Sequence, residues 1–435
     1  NGTARYEGTN RMGKSRSARW LPTWNVSGAW NAHEEKFFSN LTSVLSHFTL
    51  KASYSLTADR GPADVTNSQA IITSYSPYRP FTSIQESGLY IKELENSELT
   101  YEKKHELNIG ADMGFLNNRI NLAVDWYKRN NYDLIGIVNT QGAGGQILKY
   151  ANIASMKSHG IEFTLSTKNI KTKDFNWNTD FIFSNAKNEV TDLKQNANVM
   201  ELISGNGFAK QGYPVRGLFS IPFVGLDKDG IPVIINEKGE ATSTDINFQE
   251  RQNTGFLKYE GPTDPTITGS LGNMFSYKGF RLNLFITYSF GNVIRLNPVF
   301  KAYYSDLTAM TREFKNRWTL PGDEAKTNVP AILSKRMYDS NEDLKYAYNA
   351  YNYSTERIAK GDFIRLKEIS LAYDFPKAWI NPLKLTDLSL KVQATNLFLI
   401  YADDKLNGQD PEFFNAGGVA SPVPRQFTIT LRLGL

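Results

Sequence analysis

The chain of 435 residues contains no cysteine, and this absence removes several kinds of site at once. Disulfide bridges, iron–sulfur clusters and thiolate zinc sites all require cysteine side chains. No run of about 18 apolar residues occurs, so a membrane-spanning helix is not expected. A surplus of one charge is also missing, because 49 Lys and Arg are balanced by 44 Asp and Glu. The basic residues are scattered, and we therefore expect no nucleic-acid partner.

Motifs for catalysis and for metal binding are equally scarce. The four histidines, His33, His47, His105 and His159, are far apart in the sequence, and no two of them have i, i+4 spacing. The sequence contains neither H-E-x-x-H nor G-x-S-x-G. We therefore predict no catalytic residue, no metal site and no cofactor.

Two short segments look like ligand-binding loops but lack the required context. Residues 8–15 match the phosphate-loop pattern, yet residues 1–7 do not read as a buried strand and Pro22 disfavours a following helix. Residues 227–230 begin like a calcium loop, but Ile231 and Pro232 occupy the positions of a ligand and a glycine. We interpret the first as a solvated basic loop and the second as a hairpin tip, and a loop calcium bound in another way stays open.

What the sequence does contain is a repeated alternation of apolar and polar residues. Leu282, Leu284 and Ile286 alternate with Arg281 and Asn283, which gives a strand one apolar and one polar face. About eleven such segments recur. They are residues 20–30, 48–54, 100–113, 120–127, 160–167, 175–184, 266–277, 281–290, 363–375, 388–397 and 426–435.

The connections between these segments alternate between short and long. The short ones are 117–119, 172–174, 278–279 and 376–382, with a moderate one at 31–47, and the long ones are 58–99, 128–158, 186–264, 292–362 and 399–424. Short turns at one end and long loops at the other are typical of outer-membrane barrels, whose long loops are extracellular. The sequence thus predicts an all-β fold, a transmembrane antiparallel β-barrel.

An odd number of strands places residues 1–19 on the side of the long loops, whereas a complete barrel has an even count. An open sheet would also leave two unpaired edges in lipid. We therefore expect residues 1–435 to be the C-terminal part of a larger barrel, with its N-terminal half outside this chain.

Candidate contact residues follow from the same pattern. Polar residues expected to line the lumen are Asn121, Asp125, Glu162, Thr164, Asp180 and Asn283. Tyrosines of the long loops that could stack on sugars or peptides are Tyr75, Tyr78, Tyr303 and Tyr346, although the same residues could simply stabilise the loops. Helical spacing also predicts a short helix within 301–318.

Several short motifs recur along the chain in a recognisable order. They are the run at 99–103, the segments at 108–112, 116–120 and 125–128, and a strand at 152–162. Later in the chain they are Phe363 to Ile369, the pair 395–398 and 409–412, and the final strand from Pro424. Together these motifs resemble those of the SusC/RagA family of TonB-dependent outer-membrane transporters, with departures from the family pattern at Ala154 and Ser158. The resemblance covers essentially the whole chain.

This resemblance implies a barrel of about 22 strands filled by a plug that precedes this chain. It implies import of oligosaccharides or peptides, energy from the TonB–ExbB–ExbD system, a SusD-like surface lipoprotein as a lid, and a source among the Bacteroidota. Three alternatives stay open, namely a passive porin, a non-transporting scaffold in an outer-membrane assembly complex, and a secreted β-rich adhesin or enzyme.

Overall fold

A computed structural model describes residues 1–61, 69–76, 87–142, 147–299, 310–414 and 424–434. Twelve strands form one antiparallel sheet, and their order across the sheet is their order along the chain. They are β1 (Gly2–Gly8), β2 (Trp20–Asn31), β3 (Leu45–Asp59), β4 (Glu102–Phe115), β5 (Ile120–Asn139), β6 (Leu148–Lys171), β7 (Phe175–Leu193), β8 (Ile267–Tyr277), β9 (Phe280–Phe290), β10 (Phe363–Asp374), β11 (Asp387–Ala402) and β12 (Gln426–Gly434).

The helices of the described residues are short. They are α1 (Arg16–Arg19), α2 (Val199–Ile203), α3 (Lys335–Ser340), α4 (Leu344–Asn352) and α5 (Lys377–Ile380). Single 3₁₀ turns occupy Ala32–Glu34, Lys36–Leu41, Arg312–Asn316, Asp323–Ala325, Thr355–Arg357, Asn381–Leu383, Asp404–Leu406 and Pro411–Phe413. None of these helices has the length and apolarity that a membrane crossing requires.

Each of the eleven predicted strands has a counterpart in the sheet, and the all-β antiparallel fold is confirmed. The predicted count was one too low, and the even count of twelve removes the odd-number argument for a missing part of the barrel. Residues 2–8, expected with the rest of 1–19 on the side of the long loops, form β1 and pair with β2 from Gly2 opposite Val26 to Gly8 opposite Trp20. Every residue of β1 is exposed, so the strand lacks the apolar alternation that reveals the others.

Tight turns join the strands at one end of the sheet. Leu116, Asn117 and Asn118 all have positive φ between β4 and β5, and Lys278 and Gly279 do so between β8 and β9. Gly279 has φ of 90°, and a Cβ there would lie 2.8 Å from the Asp374 carbonyl oxygen. Glycine is thus required at this turn for both conformation and space.

The strands β5, β6 and β7 extend well past the predicted segments. Residues 128–139 and 148–158, expected as loop, continue the β5–β6 hairpin from Lys128 opposite His159 to Asn139 opposite Leu148. At about 3.4 Å per residue, 20 residues of β5 span close to 70 Å. The wall of the sheet therefore rises far above the level at which β8 and β9 end.

The other long connections contain small units of their own. A hairpin of Ile71–Tyr75 and Gly88–Glu93 lies between β3 and β4. Between β7 and β8, Gly217–Ser220 pairs with Lys258–Pro262, and Phe223–Leu226, Pro232–Ile235 and Ala241–Thr242 form a meander. Val293–Arg295 pairs with Ile358–Lys360 between β9 and β10.

Much of the buried apolar core lies in these connections. One cluster joins Val199, Phe219 and Ile221 of the β7–β8 connection to Ala350 of α4. A second joins Ile294 and Ala359 to Leu406, which follows β11. We call residues 194–266, 291–299, 310–362 and 403–414 together the loop body, since they pack as one unit at the end of the sheet opposite the tight turns.

Candidate functional site

The six predicted lumen residues share one face of the sheet. Asn121 lies opposite Ser166, which in turn lies opposite Asp180. Glu162 lies opposite Asp125, and Thr164 is two residues from each of Glu162 and Ser166. Directly opposed residues point to the same side of a sheet.

Asn283 completes this set through the next strands. Asp180 is opposite Gly272, Gly272 is opposite Phe285, and Asn283 is two residues from Phe285. We call this side of the sheet the polar face. The structure brings the six residues to one side, and their role as lumen lining stays a prediction.

Polar side chains of neighbouring strands contact one another on the polar face. The Nζ of Lys51 lies 2.9 Å from a carboxylate oxygen of Asp112. Between them and Asp125 lies Gly110, where an added Cβ would be 2.2 Å from an Asp125 oxygen, so the missing side chain leaves room for that carboxylate. The Ser166 hydroxyl donates a 2.6 Å hydrogen bond to Asp180. The face is therefore rich in polar groups.

The opposite side, which we call the apolar face, carries large exposed hydrophobic residues. Ring pairs cross neighbouring strands, as between Phe163 and Phe183 at 5.0 Å and between Trp177 and Phe275 at 5.6 Å. On β12, Phe427, Ile429 and Leu431 are 72%, 74% and 59% exposed. An apolar surface of this extent is far larger than soluble proteins leave in water.

A buried ion pair ties the wall to the loop body. Arg365 of β10 is 4% exposed, and its Nη2 donates to both carboxylate oxygens of Asp410, at 2.5 and 2.6 Å. Glu412 lies 3.2 Å away and is more exposed. These three residues belong to two of the family-like motifs noted separately in the sequence, so the structure supplies a physical reason for both.

Arg295 holds three segments of the loop body together. Its guanidinium donates to the carbonyl oxygens of Ser354 at 2.8 Å, Phe219 at 2.6 Å and Ile203 at 3.3 Å. Burial lowers the pKa of Arg295 to about 9, partly offset by the nearby Glu260 carboxylate. The group therefore stays charged at neutral pH, where charge strengthens its hydrogen bonds to carbonyls.

A second buried arginine repeats this arrangement nearby. Arg357 is 2% exposed, forms an ion pair with Glu313 and donates to the Asn297 carbonyl at 2.7 Å. Glu313 also accepts a 2.8 Å hydrogen bond from the Asn407 side chain. Residues from the β9–β10 and β11–β12 connections thus meet at one carboxylate, which stiffens the loop body.

A cleft of about 630 Å³ opens between the polar face and the loop body. Its walls include Thr268, Ser289, Phe363, Lys367, Arg216 and Glu412. Arg216 pairs with Asp264 at 2.6 Å, whereas Lys367 has no ion-pair partner within the described ranges. Hydroxyls, an aromatic ring and a spare positive charge are together suited to a polar organic ligand.

Two of the four predicted loop tyrosines, Tyr75 and Tyr346, lie within the described residues. Tyr78 and Tyr303 lie outside the described residues. Tyr75 is on the hairpin between β3 and β4 with its ring 5.6 Å from Tyr90, and Tyr346 is on α4 with the Lys345 ammonium 5.2 Å from its ring. Both are exposed, so both stay available as contact residues, and their ligand-binding role stays a prediction.

Other tyrosines of α4 stabilise the loop body. Tyr348 and Tyr351 are each 1% exposed. Burial raises the pKa of Tyr351, with the nearby Arg357 acting in the opposite direction. Of the predicted helix within 301–318, residues 301–309 lie outside the described ranges, and Arg312–Asn316 forms a 3₁₀ turn rather than an α-helix.

The segment that matches a phosphate loop, residues 8–15, is a partly buried connection between β1 and α1. The strand before it, β1, is exposed along its length, and the helix after it, α1, has only four residues. Met12 is fully buried against Leu99 and Tyr101, so the expectation of a wholly solvated loop is wrong. Lys14 pairs with Glu95 at 2.7 Å, which leaves its charge neutralised.

The segment that begins like a calcium loop is a hairpin tip, as predicted. Leu226 pairs with Pro232 across it. The Asp227 carboxylate accepts hydrogen bonds from the backbone N–H groups of Asp229 and Ile231, both at 2.9 Å. That oxygen is therefore used to close the turn.

Two of the histidines that are distant in the sequence meet in space. His33 and His47, 14 positions apart in the sequence, have ring centroids only 4.2 Å apart. The described residues contain no group of three or more histidine and carboxylate side chains placed to hold a metal. The sequence gave no local signal for this pair, since 14 positions separate the two residues.

Sequence reasoning also missed the buried arginines and the cleft. Arg295 and Arg357 lie in long connections without periodicity, and their partners are up to 92 residues away. Arg365 stands where a polar residue of the alternating pattern is expected, but nothing local indicates that it is buried. The only sequence signal for the contact between Arg365 and Asp410 was that both residues lie in motifs that resemble those of the family.

No family model matches the chain. Among curated proteins it is 25% identical to TonB-dependent receptor P3 of Formosa agariphila over 430 residues, which is 94% of this chain and 40% of that protein. It is 26% identical to the TonB-dependent receptor SusC of Bacteroides thetaiotaomicron over 460 residues, which is 100% of this chain and 41% of that protein.

Among solved structures the chain is similar to that of the RagAB peptide transporter, with a TM-score of 0.76 and 24% identity. The match covers 99% of this chain and 45% of that one, and it shows that the two chains share a fold. The resemblance to SusC/RagA-type TonB-dependent transporters is thus confirmed along the chain, and so is the barrel-type fold. The chain spans less than half the length of the relatives it matches.

Proposed function

We propose that this chain forms part of the wall of a TonB-dependent outer-membrane importer that takes up oligosaccharides or peptides and works with a SusD-like surface lipoprotein. The observation that carries the proposal is the similarity of nearly the whole chain to TonB-dependent receptors, including SusC. One of its structural neighbours is a peptide transporter by name. The protein acts by binding and gating, without bond chemistry.

The two faces of the sheet support this assignment. The apolar face lies against lipid, and the polar face, with Asn121, Asp125 and Glu162, looks into the lumen around a plug. Strand β1 pairs only with β2, and strand β12 only with β11, within the described sheet. The N-terminal half of the barrel supplies the partners of these edges, because lipid does not tolerate unpaired backbone groups.

The loop body forms the outer vestibule in this proposal, and the long loops are extracellular. The buried contacts of Arg295, Arg357 and Arg365 hold it in one arrangement above the wall, so that the cleft beneath it keeps its shape. Lys367 and the hydroxyls of the cleft are positioned to contact a passing ligand. Exposed apolar residues of the loop body, such as Leu320 and Val224, are available to the lipoprotein lid.

Purification of the intact protein from native outer membranes in mild detergent tests this proposal. We expect a surface lipoprotein to co-purify in equal amount, and we expect mass spectrometry to detect bound short peptides or oligosaccharides. Co-purification of assembly factors without a lipoprotein would instead favour a non-transporting scaffold.

Energy dependence separates an importer from a passive porin. Uptake of the identified ligand should stop when TonB is disrupted or when the proton gradient is collapsed. Uptake that continues unchanged under both conditions would contradict the proposal. A protein that is monomeric and compact without detergent would exclude any barrel role and would favour a secreted adhesin or enzyme.

A further inference from the structure

The pair His33 and His47 lies at the end of the sheet that carries the tight turns. His33 is in the 3₁₀ turn Ala32–Glu34 that follows β2, and His47 is in β3 where the register shifts against β4. Both rings are partly buried, with their centroids 4.2 Å apart and their planes tilted by 50°. His47 lies opposite Gly114, and Gly114 opposite Asn121, so the pair is on the polar face.

The hydrogen bonds of the two rings fix which nitrogen carries the proton. The Nδ1 of His33 lies 3.0 Å from the Phe48 carbonyl oxygen. A carbonyl can only accept, so Nδ1 is protonated and the lone pair of the neutral ring is on Nε2. The proton of the His47 ring is assigned from its contact with the Thr49 hydroxyl.

The Thr49 hydroxyl donates its proton to the Asn31 side-chain oxygen at 3.0 Å. It must therefore accept from the Nε2 of His47, which is 3.2 Å away, and this leaves the lone pair of His47 on Nδ1. Thr49 is only 8% exposed, so water competes little for this chain of bonds. Neither lone-pair nitrogen has a hydrogen-bond partner in the described part of the chain.

We propose that His33 and His47 bind one divalent transition-metal ion of the type that prefers imidazole, with zinc as the representative, through Nε2 of His33 and Nδ1 of His47. Metal-binding histidines almost always donate their other N–H to a carbonyl or another oxygen, and both rings do so here before any ion arrives. Water completes the coordination, because two side chains supply only half of a tetrahedral set.

The surroundings suit a cation. The nearest basic residue on β3 is Lys51, and its ammonium is paired with the Asp112 carboxylate at 2.9 Å. Two imidazoles on a tetrahedral ion have centroids roughly 5 Å apart, given nitrogen–zinc bonds of about 2.0–2.1 Å. The observed centroid separation of 4.2 Å is about 1 Å shorter, so the two rings must move apart by about that much to bind the ion. The bound ion would fasten the connection 32–46 to the base of β3.

Zinc titration of the intact, chelator-treated protein in detergent tests this site directly. We expect about one equivalent to bind, and we expect His33→Asn and His47→Asn each to weaken that binding at least about tenfold. Thr49→Val should weaken binding less than either, because it removes only the hydrogen bond that orients His47. His159→Asn is the matched control, since His159 lies between Lys128 and Lys187 and should leave binding unchanged.

A second measurement needs no substitution. Zinc should slow hydrogen exchange of the backbone amides of residues 32–46 in the unmodified protein while leaving the exchange of the loop body unchanged. Equal zinc affinity in the wild type and both asparagine variants, or no zinc-dependent protection of residues 32–46, would overturn the proposal.

Discussion

Replacement of Arg365 by alanine should release the loop body from the wall. The guanidinium and the Asp410 carboxylate are 5% and 11% exposed at the level of their side chains. Removing one partner of a buried pair leaves an uncompensated charge and typically costs about 3–5 kcal/mol. The more exposed Glu412 adds at most about 1 kcal/mol.

A cost of about 4 kcal/mol corresponds to a roughly thousandfold increase in the opening equilibrium of residues 403–414. Hydrogen exchange measured by mass spectrometry on the intact protein in detergent reports this equilibrium locally. The exchange of β10 and β11 should change much less, because their ladder hydrogen bonds do not depend on this ion pair. Asp410→Asn should give an effect of similar size, since it leaves the arginine buried without its counter-charge.

Arg281→Ala is the matched control. Arg281 pairs with Asp374 at 2.8 Å on the same sheet, but the two side chains are 52% and 50% exposed. An exposed pair contributes only about 0–1 kcal/mol, so little change is expected. Equally small effects of Arg365→Ala and Arg281→Ala would show that burial does not make the Arg365–Asp410 pair more stabilising than an exposed pair.

Further predictions concern packing, pH dependence and partner binding. Gly160→Val should impair assembly of the barrel, because a Cβ there would lie 2.6 Å from a backbone carbonyl oxygen of β7. Gly28 lies at a site with open space, so the Gly28→Val variant should assemble normally. A heat-modifiability assay compares the two variants. Tyr351 ionises above about pH 10 only when the loop body is unfolded, because burial raises its pKa in the folded state. The free energy of unfolding of the loop body should therefore fall above that pH, by up to about 1.4 kcal/mol per pH unit. Urea-dependent proteolysis at pH 9 to 11 measures this slope, and Tyr351→Phe should flatten it. If the proposed function holds, Leu320→Glu combined with Val224→Glu should reduce co-purification of the lipoprotein without reducing barrel assembly, and undiminished co-purification would argue against docking at this surface.

The strands could be predicted wherever one face of the strand is polar and the other is apolar. That condition holds for β8 and β9, whose predicted and observed bounds differ by one residue at most. It fails for β1, in which Tyr6 is the only large apolar residue and every position is exposed. It also fails at residues 128–131, where both faces of β5 become polar and the alternation ends although pairing with β6 continues.

The candidate site was predictable only in part. Period-two alternation was enough to assign Asn121, Glu162 and Asn283 to one face, because the register follows from the same pattern. The contacts that shape the loop body were not predictable, since Ala350 packs with residues about 130–150 positions earlier in the chain. Contacts of this kind depend on tertiary packing, and no local pattern encodes them.

In the proposed importer the apolar face contacts lipid and the polar face contacts water. Because this chain has no cysteine, single substitutions such as Thr164→Cys, Asp180→Cys, Phe163→Cys and Phe181→Cys allow one spin label to be placed at a time in the intact protein within bilayers. We expect labels at Phe163 and Phe181 to collide with dissolved oxygen but not with a water-soluble nickel complex, and labels at Thr164 and Asp180 to show the reverse. Equal access of the nickel complex to all four positions would contradict that expectation.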